Sequence, residues 1–338
     1  MKILVTGGAG FIGSNFINYW LNKYQTDSII NLDLMTYAAN ELTVEHHKNQ
    51  FKERYVFVKG DICDEKLVNE LVSQCYMVVH FAAESHVDKS VEDPSAFVRT
   101  NVLGTHTLLE SARKNGNKRF HHVSTDEVFG TLELGSSERF NEQTPYNPRS
   151  PYSASKAGSD HLVKAYYETY QLPVTITNCS NNYGPFQFPE KVIPLYITRL
   201  LKQKEIPVYG KGLAVRDYLY VEDHCSAIDA VIKNGRLGET YCVGGDSEKN
   251  TNQIAKLLAE KLNQPDSLIV YTKDRPGHDP RYAIDHSKIT KELGWMPSVN
   301  FEEGIEKTIS WYKENTDWWQ PISAKAEEIA EKYLQNRN

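Results

Sequence analysis

Near the N-terminus the chain reads Lys2-Ile3-Leu4-Val5-Thr6-Gly7-Gly8-Ala9-Gly10-Phe11-Ile12-Gly13. A short run of β-type residues gives way to glycines at positions that fit both Gly-x-x-Gly-x-x-Gly (Gly7, Gly10, Gly13) and Gly-x-Gly-x-x-Gly (Gly8, Gly10, Gly13). Such a turn meets three physical needs: a tight reversal, close approach of backbone to a pyrophosphate, and close helix–strand packing. The phosphates would rest on the N-terminus of the next helix, read over Phe11 to Leu21, where unpaired N–H groups point outward. A second strand, Ile29 to Leu32, ends at Asp33, about twenty residues beyond Gly13, where an acidic residue binds an adenosine ribose. A carboxylate there repels a 2′-phosphate, so the pattern points to NAD rather than NADP. The alternative for Asp33 is a plain strand-end cap.

The alternation continues outward from this turn. Strands are read at Tyr55 to Lys59, Met77 to Ala83, Phe120 to Val123 and Val174 to Thr177. Helices are read at Lys66 to Ser73, from Pro94 to about Asn115, and from Tyr152 onward; proline suits a first helical turn. Repeated βαβ units make a parallel sheet with helices on both faces. The fold class is therefore α/β: a Rossmann-type doubly wound parallel sheet with a smaller, mostly helical substrate-binding domain. Residues 1–180 form the dinucleotide-binding domain, with a return of the chain expected around 215–245, and residues 181–338 form the second. That second part holds helix-like runs at Val192 to Leu201, Val221 to Lys233, Asn252 to Leu262 and Ile305 to Tyr312, with a strand near Val208. Ala324 to Leu334 reads as a charged surface helix.

Composition narrows the function class. A net charge of −6 argues against a general nucleic-acid binder, and no apolar run reaches membrane-spanning length. Cys63, Cys75, Cys179, Cys225 and Cys242 form no Cys-x-x-Cys motif, which fits free thiols in a cytoplasmic protein. The histidines show no metal-ligand spacing; His121 and His122 would face opposite sides of a strand. No metal is expected.

Chemistry enters with Ser124-Thr125-Asp126-Glu127-Val128-Phe129-Gly130 and Tyr152-Ser153-Ala154-Ser155-Lys156. The strand delivers two adjacent carboxyls to its C-terminal edge, where open α/β sheets bind ligands. Tyr-x-x-x-Lys has helical spacing, so the Lys156 ammonium can sit near the Tyr152 phenol. Bringing a tyrosine from a pKa near 10 to about 7 takes roughly 4 kcal/mol of differential stabilisation. Lys156 is expected to supply part, and a bound nicotinamide cation more. The bland alternative is a surface tyrosine and a solvated lysine.

Taken together, these motifs resemble the extended short-chain dehydrogenase/reductase superfamily, and within it the dTDP-glucose 4,6-dehydratase family. The resemblance extends to about Ile322 and includes Phe81 to Asp88, Asn178 to Pro185 and Asp274 to Asp279. It implies a substrate, dTDP-glucose, and a homodimer formed by the helices over Pro94 to Asn115 and Tyr152 to Tyr170. It implies catalytic roles for Thr125, Asp126, Glu127, Tyr152 and Lys156. Tyr152 would be the base for the 4-hydroxyl and Thr125 would bind the 4-oxygen; Glu127 would remove the C5 proton and a protonated Asp126 would serve the departing 6-hydroxyl. NAD would lie against Gly7, Gly10, Phe11, Ile12, Gly13, Asp33, Asp61, Ile62, Ala82, Ala83, Thr100, Tyr152 and Lys156. Substrate would meet Ser85, His86, Thr125, Asn181, Lys191, Arg216, Asn250, Arg275 and His278; for Arg216 a surface ion pair is the alternative.

Two other readings compete. Epimerases resembling this chain carry small or uncharged residues where Asp126 and Glu127 stand, and decarboxylases usually lack the aspartate. A non-catalytic NAD-binding sensor would have no need of Tyr152, Lys156 and the Asp-Glu pair together. Leu34, Ala39, Phe129 and Pro280 depart from the family's usual residues and bear on fine substrate contacts.

Overall fold

A computed structural model describes residues 1–274 and 278–335. The described strands, in chain order, are β1 (Lys2–Thr6), β2 (Ser28–Asp33), β3 (Tyr55–Lys59), β4 (Met77–His80), β5 (Arg119–Thr125), β6 (Val174–Cys179), β7 (Asn181–Tyr183), β8 (Ile206–Tyr209), β9 (Val215–Tyr220), β10 (Thr240–Val243), β11 (Glu248–Asn250) and β12 (Ile269–Thr272). Seven of them form one sheet in the order β10-β6-β5-β4-β1-β2-β3. All of its pairings are parallel. The α/β reading with a doubly wound parallel sheet is the architecture found. A second sheet, β11-β9-β7, and a two-stranded pair, β12-β8, stand apart from it.

Alternation along β1 explains the layers. Ile3 and Val5 pack with Phe16, Ile17 and Trp20 of the helix Phe11–Lys23 and with Cys225 and Ile228 of the helix Val221–Asn234. Leu4 faces the other way, onto Val68, Leu71, Leu108 and Val163. Successive strand residues point to opposite faces, so one strand serves both helical layers. A separate core joins the helices Val192–Leu201, Thr251–Lys261 and Phe301–Glu314 through Ile197, Leu258 and Ile305. The last helix, Ser323–Leu334, docks on that core through Ala326 and Ala330. Buried Arg199 pins it, donating to Glu327 at 2.6 Å and Glu331 at 2.8 Å.

Strand order reverses between β1 and β4. From β1 the chain steps outward through β2 and β3, then crosses to β4 and continues the opposite way. The loops after β1 and β4 diverge at that point and open a crevice at the carboxyl edge.

Three local features differ from the sequence reading. β4 ends at His80 rather than Ala83, because its pairings with Thr6 and His122 end there. Residues 81–86 then leave the sheet and pass along the crevice. The helix opening at Pro94 is interrupted by a π-helical stretch, Val98–Gly104, before resuming as Thr105–Lys114. Within it Asn101 grips both backbone groups of Glu84, accepting from its N–H at 2.9 Å and donating to its carbonyl at 3.0 Å. Gly104 lets Ile62 approach, since a Cβ there would lie 2.4 Å from the Ile62 side chain. Finally, a helix over Glu41–Phe51, capped by Asn40, lies in a stretch with no clean apolar period.

The glycine turn leaves no room for side chains at Gly7 and Gly13. Gly7 has φ +74°, and a Cβ on it would lie 2.6 Å from the Ala82 nitrogen. A Cβ on Gly13 would lie 2.4 Å from the Gly7 carbonyl oxygen. Gly13→Ala is therefore expected to lower stability by about 1–3 kcal/mol through forced backbone shifts, and to reduce dinucleotide retention. Urea unfolding and cofactor content after gel filtration would measure both. An unchanged midpoint would show that the turn yields without cost.

Candidate active site

β5 lies between β4 and β6, buried through Ser124, and reaches the carboxyl edge at Thr125. One tight 3-10 turn, Asp126–Phe129, follows. The Thr125 hydroxyl caps it by accepting the Glu127 N–H at 3.3 Å. Gly130 closes it at φ +97°, where a Cβ would lie 2.7 Å from the Asn147 carbonyl. The turn sends the neighbouring carboxyls to different surroundings: Asp126 is 2% exposed, whereas Glu127 is half-buried.

Asp126 receives the Thr125 hydroxyl at 3.2 Å on one oxygen, and its other oxygen has no partner among the described residues. Burial pushes its carboxyl well above the ordinary range, helped by the charges of Glu127 and Asp217 and only partly opposed by Arg216 and Thr125. The shift favours its protonated form, a donor beside a second carboxyl.

Tyr152 stands in the first turn of the helix Pro151–Tyr170. Ser150 and Ser153 form a reciprocal cap there, each accepting the other's N–H at 3.0 Å, with Pro151 pre-set for the first position. The expected effect of Lys156 on Tyr152 is not what the chain alone provides. The Lys156 ammonium donates to the Val123 carbonyl at 2.8 Å, with His122 Nε2 at 3.4 Å. The phenol lies well above its usual pKa, through burial first and then the nearby Glu127 and Cys179. The reason is solvation: both groups are buried, and desolvation outweighs a neighbouring charge already engaged by a carbonyl.

A cleft of about 330 Å³ runs from the glycine turn to this cluster. Every residue assigned to NAD lines it: Gly7, Gly10, Phe11, Ile12, Gly13, Asp33, Asp61, Ile62, Ala82, Ala83, Thr100, Tyr152 and Lys156. The helix Phe11–Lys23 has no side-chain cap at its N-terminus, so its first N–H groups face the cleft free of side-chain acceptors. Buried Asp33 accepts the Ala9 and Met35 N–H groups at 3.0 and 2.8 Å, so it also caps, as the plainer reading had it. Asp61 accepts the Cys63 N–H at 2.8 Å and pairs with Arg99 at 2.6 Å. A cramped glycine turn, an uncapped helix end and a carboxylate at the end of β2 fit a dinucleotide with a free ribose 2′-hydroxyl. Among the described residues no group of three His, Cys, Asp or Glu is arranged to hold a metal ion.

The residues assigned to substrate fall into two sets. Ser85, Thr125, Asn181 and Lys191 line the same cleft, Asn181 with a buried side-chain oxygen that has no partner among the described residues. His86 stands behind it, 3.7 Å from Glu190. Arg216, Asn250 and His278 lie outside the lining. Arg216 and Asn250 flank the β9–β11 pairing, where Lys249 opposes Arg216 and Asn250 opposes Val215. Arg216 donates to the Val215 and Asp279 carbonyls and stacks 4.2 Å from the Tyr282 ring, close enough to Asp126 for its charge to act there. Asn250 caps the helix Thr251–Lys261, and His278 meets Asp274 at 2.8 Å. Arg275 lies outside the described residues.

The sequence reading missed Glu190 in the cleft wall. Its side chain is 2% exposed, receives the Tyr37 hydroxyl at 3.3 Å, and keeps one oxygen without a hydrogen bond. An acidic residue beside Lys191 in a Pro-flanked break was the available signal.

A family model described as GDP-mannose 4,6 dehydratase matches residues 4–308. A dTDP-glucose 4,6-dehydratase from Escherichia coli is 49% identical, over 95% of this chain and 96% of its own. The solved dTDP-glucose 4,6-dehydratase from Streptomyces venezuelae, with NAD bound, has 45% identity and a TM-score of 0.91, covering 95% of this chain and all (100%) of that one. A UDP-glucose 4-epimerase from Thermotoga maritima, solved with UDP-glucose, has 30% identity and a TM-score of 0.85, covering 94% of this chain and 100% of that chain.

The protonated Asp126 has a thermodynamic signature. Its folded pKa exceeds its unfolded one, so folding takes up a proton at intermediate pH. Its contribution is complete below the unfolded value, about 4, and is lost as pH rises toward the folded one. Asp126→Asn removes this loss. The variant should gain stability relative to wild type between about pH 5 and 7, by up to about 1.4 kcal/mol per pH unit. Urea unfolding at both pH values tests this; a pH-independent difference would mean that Asp126 is ionised in the fold.

Proposed function

The chain belongs to the dTDP-glucose 4,6-dehydratase family, and from that premise we propose how its own residues perform the reaction. The protein is an NAD-dependent hydro-lyase that converts dTDP-glucose to dTDP-4-keto-6-deoxyglucose and water. The observation that carries the residue assignment is the carboxyl pair at the end of β5, Asp126 buried with a raised pKa and Glu127 less buried, both lining the cleft with Tyr152. Relatedness to the epimerase is more distant, at 30% identity against 49%.

A hexose 6-hydroxyl leaves poorly and its C5 proton is hardly acidic, until C4 becomes a ketone. Bound NAD⁺ supplies reversible hydride acceptance, so the net reaction leaves its redox state unchanged. Tyr152 accepts the proton of the 4-hydroxyl. Its phenol is neutral in the chain alone, so ionisation depends on positive charge in the loaded cleft, to which Lys156 adds its own. Thr125 hydrogen-bonds the 4-oxygen. Glu127 removes the C5 proton, while Asp126 gives its proton to the departing 6-oxygen, which leaves as water. The two carboxyls thus exchange acid and base states during elimination.

Asn181 and Lys191 bind the nucleotide side of the substrate, joined by Arg216, Asn250, Arg275 and His278 around its diphosphate; cationic donors suit that group. Ser85 and His86 attend the sugar. Residues 1–180, with the chain's return at 215–245, serve NAD, and the remainder serves the nucleotide sugar. The protein acts as a homodimer through the helices spanning 94–114 and 151–170, supported by exposed Val98, Leu103 and Tyr170 on them. Five free thiols support a cytoplasmic setting, and the net charge of −6 a protein that does not bind nucleic acid or require a membrane. Among the described residues no helix is long and apolar enough to cross a membrane.

Isotope transfer tests this scheme. Deuterium at C4 of dTDP-glucose should reappear at C6 of the 4-keto-6-deoxy product, while C5 gains hydrogen from solvent. Mixed labelled and unlabelled substrate should show little crossover by mass spectrometry. Loss of the label to solvent, or a C4-epimerised product, would reject the scheme.

A further inference from the structure

Behind Lys156, away from the cleft, lies a sealed polar cluster that the proposed mechanism does not use. Asp160 sits one helical turn beyond Lys156, as Lys156 sits one turn beyond Tyr152, so all three share a helix face. His122 of β5 lies between the two charges: its Nε2 is 3.1 Å from Asp160 Oδ1 and 3.4 Å from Lys156 Nζ. The other Asp160 oxygen accepts the Ser124 hydroxyl at 2.8 Å, the Tyr146 hydroxyl at 2.9 Å and the Asn178 amide at 3.2 Å. Asp160 and His122 are both 0% exposed.

We infer that Asp160 is a positioning residue: it is the buried counter-charge that keeps Lys156 an ammonium where it meets the Val123 carbonyl.

An ammonium cut off from water is costly unless paired. Burial lowers the Lys156 pKa, and Asp160, then Cys179, act against that. Burial alone would raise Asp160, yet His122, Lys156 and Ser124 bring it below the carboxylate range. His122 is pushed down to about 4, by burial first and then by Lys156, so it is neutral at working pH. The remaining titratable groups around Lys156 are Tyr152 on its own helix, Asp126 and Glu127 from the turn after β5, Cys179 on β6, and His80 on β4. His80 lies against His122 with ring centres 5.2 Å apart and is also driven neutral by burial. Asp160 is therefore the negative charge on the protein side of the ammonium, where the cleft's contents cannot substitute for it.

The inference rests on the proposed role for Tyr152 and Lys156, so its test reads Lys156 itself as well as turnover. Asp160→Asn keeps shape and removes charge. Lysine labelled with ¹³C at Cε reports the Lys156 titration, assigned with Lys156→Arg. In wild type Lys156 should remain an ammonium through about pH 8; in Asp160→Asn its titration should fall by about one pH unit or more. The alkaline limb of the kcat/KM profile should fall by the same interval, with activity partly recovered at acid pH. Tyr146→Phe retains the carboxylate and should leave the titration in place. A uniform loss at every pH with an unmoved Lys156 titration would overturn the inference, as would an equal shift in Tyr146→Phe. Should Asp160→Asn not fold, the wild-type titration still decides: a Lys156 already neutral at about pH 8 overturns it.

Discussion

Desolvation at the carboxyl edge of the sheet governs this molecule. Asp126, Tyr152 and Lys156 share a volume from which water is largely excluded, and each departs from its ordinary pKa with burial as the first cause. The direction follows from charge type alone. Acids are held protonated, and the ammonium is pushed toward neutrality. A resting site so arranged contains a neutral phenol, a carboxyl biased toward its protonated form and one cation that needs support. The surrounding fold supplies that support through β5, whose Val123 carbonyl and His122 ring both reach Lys156.

The same edge is built from distant stretches of the chain. The sheet delivers the glycine turn and the β5 carboxyls from either side of the point where strand order reverses. What the sheet cannot supply is a roof. β7 and β9 pair in parallel and carry Asn181 and Arg216 alongside the end of β6. Asp217, buried next to Arg216, accepts the Gly245 and Ser247 N–H groups at 3.0 and 2.8 Å and so ties β9 to the loop after β10. Its charge and that of Arg216 act on Asp126 in opposite directions. A strand late in the chain thereby acts on a residue at the end of β5.

Much of this was legible from local pattern, because the information is local. A Gly-rich turn between a short strand and a helix needs only a few adjacent residues, and Val192 to Leu201 was read to its ends. The Glu41–Phe51 helix escaped because its buried residues, Thr43, Val44, His47 and Phe51, include two polar ones and so blur the apolar period. The end of β4 escaped because a strand ends where its partners end, a fact of pairing rather than of composition. Helical spacing puts Lys156 on the same helix face as Tyr152. The competing acceptor, the Val123 carbonyl, is thirty-three positions away, as the separation in the structure records. Asp160 was invisible for the same reason: only the fold brings His122, Ser124, Tyr146 and Asn178 around it.

Adjacent carboxyls on a regular strand would differ only in which face they meet. Here the chain leaves β5 at Thr125 and tightens at once into a 3-10 turn, so Asp126 and Glu127 differ in depth as well. The cap from Thr125 and the left-handed Gly130 fix that turn from both ends. Depth is the first cause of the raised Asp126 pKa, and the like charge of Glu127 next door adds to it. One backbone feature thus places neighbouring carboxyls in different surroundings, on which Asp217 and Arg216 of β9 then act in opposite directions.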